Sequence, residues 1–147
     1  MHIVIGSDQG GFEMKEALME RLTEAGITYL DVGTFDPSSV DYPDIAETAC
    51  AKYLDPEEHI DLGILICGTG IGIGMAANKV KGIRCANCSE TYSAKMARRH
   101  NNANFLSLGG RTLGIELAWE IVEAFLNEPF EGGRHQRRVD KIMALEA

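Results

Sequence analysis

The sequence has no apolar run near the ~20 residues that a membrane-spanning helix needs, and it is poor in basic residues. It carries 14 Lys and Arg against 22 Asp and Glu, which gives a formal net charge of −8. This acidic balance argues against nonspecific binding to nucleic acid or to an anionic membrane, since both favour a basic surface. The first residues lack the basic flank and the cleavage site of a secretion signal, so we expect a cytoplasmic protein.

Cysteine is also scarce, with four residues in 147. A chain of this length buries enough apolar surface to fold without cross-links, so we expect free thiols. Cys85 and Cys88 form a C-x-x-C pair, but there is no second pair with zinc-ligand spacing and the four histidines are scattered. We therefore expect no metal site, and the roles of Cys50, Cys85 and Cys88 stay open at this stage.

Residues 1–147 show no internal repeat, low-complexity tract or linker, so we expect one domain. Short, continuous apolar segments alternate with helical patterns, as in parallel strands that are buried on both faces. The pattern predicts an α/β fold, a single doubly wound (Rossmann-like) domain with a five-stranded parallel sheet, and a C-terminal helical tail over about 134–145. The five predicted strands are His2–Ser7, Thr28–Val32, Leu62–Cys67, Ile83–Ala86 and Phe105–Gly109.

The end of the third predicted strand is the most informative part of the chain. It continues into a loop with glycine at alternate positions, Gly68, Gly70, Gly72 and Gly74. Such a loop lets backbone amides approach an anion at the N-terminus of a helix. The spacing is neither that of a P-loop nor G-x-G-x-x-G, which weakens a nucleotide-binding interpretation. The structural alternative is a tight turn whose glycines allow close packing of helix and sheet.

Cys67 stands where this strand meets the glycine loop. Nearby amides and the helix dipole could activate its thiol as a nucleophile or as a base that transfers protons. The alternative is a buried cysteine that serves only packing.

Polar residues flank three other predicted elements. Asp8 follows the first strand and could hold a hydroxyl group or cap the next helix. His100, with Asn101 beside it, precedes the fifth strand and could be an acid, a base or a surface residue. Arg134 and Arg138 lie four residues apart on the tail, which suits bidentate capture of a phosphate as well as a solvated basic face.

Two basic tracts stand out in the acidic chain, and both would suit one small phosphate. Residues 91–115 contain Lys95, Arg98, Arg99 and Arg111 without any acid, and residues 134–141 contain Arg134, Arg137, Arg138 and Lys141 against Asp140.

Together, these features resemble the type B ribose-5-phosphate isomerases and their galactose-6-phosphate and allose-6-phosphate isomerase relatives, over nearly the whole chain. The resemblance implies a cofactor-independent aldose–ketose isomerase that interconverts ribose 5-phosphate and ribulose 5-phosphate through an enediolate, in the non-oxidative pentose phosphate pathway. The motifs that carry it are Gly6-Ser7-Asp8, Asp41-Tyr42-Pro43, Cys67-Gly68-Thr69-Gly70-Ile71-Gly72, Ala76-Ala77-Asn78-Lys79, Gly82-Ile83-Arg84, His100-Asn101, and Glu131-Gly132-Gly133-Arg134-His135 with Arg138.

The resemblance also implies roles for individual residues. Cys67 would be the base that moves the proton, and His100 would be the acid that opens the sugar ring. The developing oxyanion would be held by the Thr69 hydroxyl and by amides of the loop. The remaining implied contacts are Asp8, Gln9, Tyr42, Gly68, Gly70, Ile71, Gly72 and Asn101 for the sugar, and Arg111, Arg134 and Arg138 for the phosphate.

In members of this family the His-Asn pair reaches the site from a neighbouring subunit, so the resemblance implies a homodimer or tetramer with shared active sites. One position departs from the family, because Gln9 stands where a histidine is usual, and glutamine cannot carry a proton. The preferred substrate, including allose 6-phosphate or galactose 6-phosphate, therefore stays open. Two other classes also remain: a non-catalytic nucleotide-binding module and a hydrolase with Cys67 as nucleophile.

Overall fold

The computed structural model describes residues 1–146 and contains one five-stranded sheet in which every neighbouring pair is parallel. The strand order is β2-β1-β3-β5-β4. This confirms the predicted doubly wound fold. The chain places β2 on one side of β1, and then crosses back to add β3, β4 and β5 on the other side. The strands are β1 (His2–Ser7), β2 (Thr28–Asp31), β3 (Leu62–Cys67), β4 (Cys85–Asn87) and β5 (Phe105–Gly109).

Within residues 1–146, the helices α1 to α5 cover the two faces of the sheet. Ile3 and Ile5 pack in the layer that holds α1, α4 and α5, whereas Val4 packs in the layer that holds α2 and α3. Successive residues of a strand point to opposite faces, so the continuous apolar run of β1 serves both layers. The helices are α1 (Phe12–Glu24), α2 (Tyr42–Leu54), α3 (Ile71–Asn78), α4 (Thr91–Arg99), α5 (Ile115–Asn127) and α6 (Arg134–Ala144).

The prediction for the fourth strand was wrong at its start, which lies two residues later than Ile83. The Ile83 amide donates to the Val80 carbonyl at 3.2 Å, and the Arg84 amide donates to the side chain of Asn104 at 2.8 Å. A local turn uses the first amide and the Asn104 side chain uses the second, so the ladder with β5 begins only at Cys85. The second strand also ends one residue earlier than predicted, at Asp31.

The C-terminal helical tail is confirmed as α6, which buries His135 and Val139. All four cysteines are free thiols, as expected. Across residues 1–146, none of the helices combines the length and the apolar character that crossing a bilayer requires.

Candidate active site

The loops that follow β1, β3 and β5 meet at the carboxyl edge of the sheet, where their backbones touch. A Cβ atom added to Gly10 would lie 2.9 Å from the Gly68 nitrogen, and one added to Gly110 would lie 2.5 Å from the Gly10 oxygen. A Cβ atom on Gly109 would lie 2.9 Å from the Thr69 carbonyl oxygen. Because no ordinary side chain fits at these contacts, the glycines hold the three loops in one rigid arrangement.

A cleft of about 470 Å³ opens beside these loops, and we call it the cysteine cleft. Seven of the predicted site residues line it, and they come from the ends of β1 and β3 and from the starts of α2 and α3. This brings together residues 60 positions apart in sequence at the edge where a doubly wound fold binds ligands. The lining residues are Asp8, Tyr42, Cys67, Gly68, Thr69, Ile71, Gly72 and Met75.

Cys67 is the last residue of β3, and its side chain meets the glycine loop directly. The Gly70 amide donates a hydrogen bond to the Cys67 sulfur at 3.1 Å. Gly70 has φ +79°, and an added Cβ would lie 2.7 Å from the Leu108 carbonyl carbon, so glycine is required on both counts. The loop therefore directs an N–H group at the sulfur, where it stabilises negative charge.

The remaining amides of the loop divide into two sets. The Ile71 amide donates to the Thr69 hydroxyl oxygen at 3.2 Å, which leaves the hydroxyl hydrogen available to a ligand. The amides of Gly68, Thr69 and Gly72 make no hydrogen bond within residues 1–146. They lie at the start of α3, where the helix dipole favours negative charge.

Asp8 and Tyr42 form the other walls of the cysteine cleft. One Asp8 carboxylate oxygen accepts a hydrogen bond from the Gly10 amide at 2.9 Å, so Asp8 caps the short helical turn that follows β1. The same residue also lines the cleft. The Tyr42 ring lies against Gly72, where an added Cβ would approach it to 2.7 Å. Glycine at this position of the loop therefore makes room for the tyrosine.

Gln9 and Arg111 line a neighbouring cleft of about 360 Å³. The Gln9 side-chain carbonyl accepts a hydrogen bond from the Val40 amide at 3.0 Å, which leaves its NH₂ group for a ligand. The Arg111 amide donates to the Gly68 carbonyl at 3.0 Å, and its guanidinium lies beside Gly68. Arg111 is thus the one predicted phosphate ligand that lies next to the glycine loop.

The sequence interpretation missed Lys15, which is fully buried and holds the backbone that follows β2. Its ammonium lies 2.8 Å from an Asp31 carboxylate oxygen, and the other oxygen of that carboxylate accepts from the Gly33 amide at 2.8 Å. Gly33 in turn pairs with Ser7 at the end of β1. The available signal was a charged residue in the helical stripe of Lys15, Leu18 and Leu22, which is otherwise apolar.

His100 lies elsewhere, at the end of α4. Its ring stacks on His135 with centroids 4.2 Å apart and planes 9° from parallel. The Glu131 carboxylate lies 4.0 Å from His100 Nε2 and 3.6 Å from His135 Nε2. We call His100, Glu131 and His135 the histidine cluster.

Within one chain, the cysteine cleft lies at the carboxyl ends of the strands, whereas the histidine cluster lies at the amino end of β5. Cys67 pairs with Gly109 at the carboxyl end of β5, whereas His100 precedes Phe105 at its amino end. The four steps along β5 alone span about 13 Å at about 3.3 Å per residue. A histidine side chain does not bridge that distance, so His100 and Cys67 of the same chain do not meet.

Three other predicted ligands, Asn101, Arg134 and Arg138, lie on the same side of the molecule as His100 and do not line the cysteine cleft. Arg134 and Arg138 are exposed on α6, the helix that carries His135. Asn101 lines a separate cleft of about 610 Å³, which also involves Arg84 and Ile142. The three predicted phosphate ligands are therefore far apart within one chain. Arg111 lies beside the glycine loop, and the two α6 arginines lie beside the histidine cluster.

Two arginines of the first basic tract have structural partners. Arg98 donates to the Ala103 carbonyl at 2.6 Å, and Arg99 pairs with the Glu128 carboxylate at 2.6 Å. The prediction that this whole tract suits a phosphate was therefore too broad.

The three other cysteines differ from Cys67 in their surroundings. Burial raises the pKa of Cys50 and of Cys85 to about 12 and that of Cys88 to about 11. These thiols stay protonated at neutral pH and pack against their neighbours, which leaves Cys67 as the cysteine of the site.

The fold and the cysteine cleft define a doubly wound α/β protein with a cleft at the carboxyl ends of its strands, the place where this class of fold binds small molecules. Within that class, the chain belongs to the ribose/galactose isomerase family, whose sequence model matches residues 3–142. This confirms the resemblance that the motifs indicate.

Individual relatives match almost end to end. Ribose-5-phosphate isomerase B of Escherichia coli is 46% identical over 144 residues, covering 98% of this chain and 95% of the relative. D-erythrulose-4-phosphate isomerase of Pectobacterium atrosepticum is 43% identical over 144 residues, covering 97% and 93%. The crystal structure of ribose-5-phosphate isomerase B from Mycoplasma genitalium, with bound ribulose 5-phosphate, is 43% identical with a TM-score of 0.92, covering 99% and 95%.

Proposed function

We propose that this protein is a cofactor-independent aldose–ketose isomerase that interconverts ribose 5-phosphate and ribulose 5-phosphate. The observation that carries the proposal is the position of Cys67, which lines a small cleft and whose sulfur accepts a hydrogen bond from the glycine loop. Membership of the ribose/galactose isomerase family supports it. A thiol beside several free amides suits proton transfer next to a carbonyl group.

The reaction moves a proton between two neighbouring carbons. The Cys67 thiolate removes the proton from C2 of the open-chain aldose, and the C1 carbonyl oxygen becomes the enediolate oxyanion. The free amides of Gly68, Thr69 and Gly72 donate hydrogen bonds to that oxygen. The Cys67 thiol then returns the proton to C1, while the hydroxyl proton of O2 passes to O1 and leaves the ketone at C2.

His100 is the proposed acid for ring opening, and a second copy of the chain brings it to Cys67. The distance along β5 supports this, because one chain cannot bring the two side chains together. The protein is thus a homodimer or a tetramer with shared sites. A neighbouring copy that supplies His100 also supplies Asn101 for the sugar.

The phosphate is bound from both copies. Arg111 comes from the chain that carries Cys67, whereas Arg134 and Arg138 come from α6 of the partner that supplies His100. Guanidinium groups bind phosphate in a bidentate manner, and two such sources fix the sugar between base and acid. Asp8 and Tyr42 contact its hydroxyl groups.

The test is equilibration of the two sugars by the purified protein, with a chelator present and no nucleotide. We expect the same final ratio from either side, and calorimetry should show binding of ribose 5-phosphate but not of ATP. ATP binding without sugar turnover would support a nucleotide-binding module instead. An acyl intermediate trapped on Cys67 would support a hydrolase. The cytoplasmic location stays a prediction.

Gln9 favours a second candidate, the isomerisation of another sugar phosphate, such as allose 6-phosphate, galactose 6-phosphate or a tetrose 4-phosphate. Its NH₂ group offers a neutral donor to the ligand, whereas histidine can offer a charged one. A panel of these aldose phosphates, compared by kcat/KM, separates the candidates. Gln9→His is expected to raise kcat/KM for ribose 5-phosphate relative to the others if Gln9 sets the preference.

A further inference from the structure

We propose that His135 is a positioning residue, which holds the His100 imidazole in a fixed plane for opening the sugar ring. The inference rests on the proposed function, because ring opening by His100 is one of its steps. His135 does not line the cysteine cleft of its own chain.

The stack between the two rings has a firm base. His135 is only 5% exposed, whereas the His100 side chain is 36% exposed and presents its free face outward. The Glu131 amide donates to the Arg99 carbonyl at 3.0 Å, and the His135 amide donates to the Gly132 carbonyl at 3.1 Å. These bonds tie the start of α6 to the end of α4, so the buried ring serves as a fixed platform for the exposed one.

The Glu131 carboxylate completes the arrangement. It lies 4.0 Å from His100 Nε2 and 3.6 Å from His135 Nε2, so it faces the same edge of both rings. His135 Nε2 is buried and makes no hydrogen bond within residues 1–146. The proton-carrying edge of His100 therefore lies beside a carboxylate, while ring stacking restrains rotation of its plane.

These three side chains are also of the types that bind metals, with ligand atoms within 4.8 Å of one another. The geometry argues for orientation instead. In rings 9° from parallel, the in-plane lone pairs run side by side and do not converge on a point about 2.1 Å from both nitrogens. Stacking holds one ring against the other, whereas metal binding would require turning them apart.

The charge state of His135 suits a platform. Burial lowers its pKa, and the neighbouring His100, Arg134 and Arg138 lower it further, whereas Glu131 opposes them. A neutral His135 lets His100 accept a proton without a second positive ring stacked against it. The groups that face the stack are thus one carboxylate and two guanidinium groups besides the two imidazoles.

The test compares a reaction that includes ring opening with one that does not. Isomerisation of ribose 5-phosphate starts from a furanose, in which the C4 hydroxyl closes the ring. Ribulose 5-phosphate is open-chain, because the C5 oxygen that would close its ring carries the phosphate. Exchange of its C1 hydrogen with D₂O therefore measures proton transfer alone.

We expect His135→Ala to lower kcat/KM for ribose 5-phosphate about 10- to 100-fold, with exchange at C1 of ribulose 5-phosphate changed by less than about threefold. His135→Phe keeps a flat ring and should retain kcat/KM within about threefold of wild type. Should His135→Ala fail to fold, His135→Gln replaces it, since it is similar in size but lacks a ring, and it should lose ring opening in the same way.

Equal losses in both reactions, or a loss in His135→Phe as large as that in His135→Ala, would overturn the inference. So would a rise in KM for both sugars that phenylalanine does not reverse, because that pattern identifies a phosphate ligand. The proposed function fails on the wild-type protein alone, if it does not interconvert the sugars, so the two failures are distinguishable.

Discussion

The cysteine cleft and the histidine cluster are built in different ways. The cleft is made of short loops at strand ends, held by backbone contacts at glycines and by hydrogen bonds between residues two or three positions apart. The cluster is made of side chains from α4, α6 and the segment before α6, held by ring stacking and one carboxylate. The first offers amides and a thiol, and the second offers imidazoles and guanidinium groups.

This difference bears on the proposed function, because each region by itself lacks part of the chemistry that the proposal needs. The cleft has a thiol and free amides, but among residues 1–146 its lining includes no cation, and Arg111 lies in the neighbouring cleft. The cluster has arginines and a titratable ring but lacks a base placed in a cleft of its own. The chemistry that each region lacks is present in the other, which is the strongest internal argument for sites shared between copies.

The largest expected effect concerns the cleft. Cys67→Ala should lower kcat for ribose 5-phosphate by about 10³-fold or more, with KM nearly unchanged, because acid–base groups contribute 10²–10⁴-fold and no other thiol lies in the cleft. Steady-state kinetics measures it. Cys50→Ala, a buried cysteine away from the cleft, is the matched control and should keep wild-type kcat. Undiminished turnover in Cys67→Ala would remove the cleft from the mechanism.

The next prediction joins the two regions. Cys67→Ala and His100→Ala are each inactive, but refolding them together forms mixed dimers in which one site has both residues intact. Random pairing should restore about a quarter of wild-type activity. Mixing Cys67→Ala with the Cys67→Ala/His100→Ala double variant forms no intact site and should restore none. If the first mixture also stays inactive, sites are not shared in this way.

A third prediction compares glycines in the two regions. Gly70→Ala forces alanine to φ +79° and against the Leu108 backbone, so we expect a loss of about 2–4 kcal/mol in unfolding free energy. Gly132, just before α6, has φ +70° but open space around it, so Gly132→Ala should cost about 1 kcal/mol. Urea denaturation measures both. Equal losses would mean that the cleft backbone is not tightly packed.

The smallest effect is a pH dependence of stability in the cluster. Because the pKa of His135 is lowered in the folded protein, the unfolded chain takes up the proton first as pH falls. Its contribution is fully present above the ordinary histidine pKa of about 6.5 and is lost below it. The Tm advantage of wild type over His135→Gln should therefore shrink from pH 8 to pH 5.

Thr69→Ala in the cysteine cleft is the control for this measurement, since it removes no titratable group. Its Tm difference from wild type should stay constant over the same range. A constant difference for His135→Gln as well would contradict a lowered pKa.

Much of the fold was predictable, because strands buried on both faces leave continuous apolar runs. Strands β1, β3 and β5 have the predicted bounds for that reason. The start of the edge strand β4 was predicted less well. The amide of Arg84, just before this strand, donates to the side chain of Asn104 and not to a neighbouring strand. Lys15 was missed, because a charge in a helix is ordinarily a surface residue, and only its burial against Asp31 reveals it.

The sequence by itself determined the order of strands and helices, the glycine loop beside Cys67 and the family to which the chain belongs. These depend on local spacing, and local spacing is written in the chain. Only the tertiary structure decided that His100, Arg134 and Arg138 lie across the sheet from Cys67, and that His135 stacks on His100. Distances between residues far apart in sequence depend on how the elements pack. The motifs assign His100 and Cys67 to one site, but the length of β5 separates them within one chain.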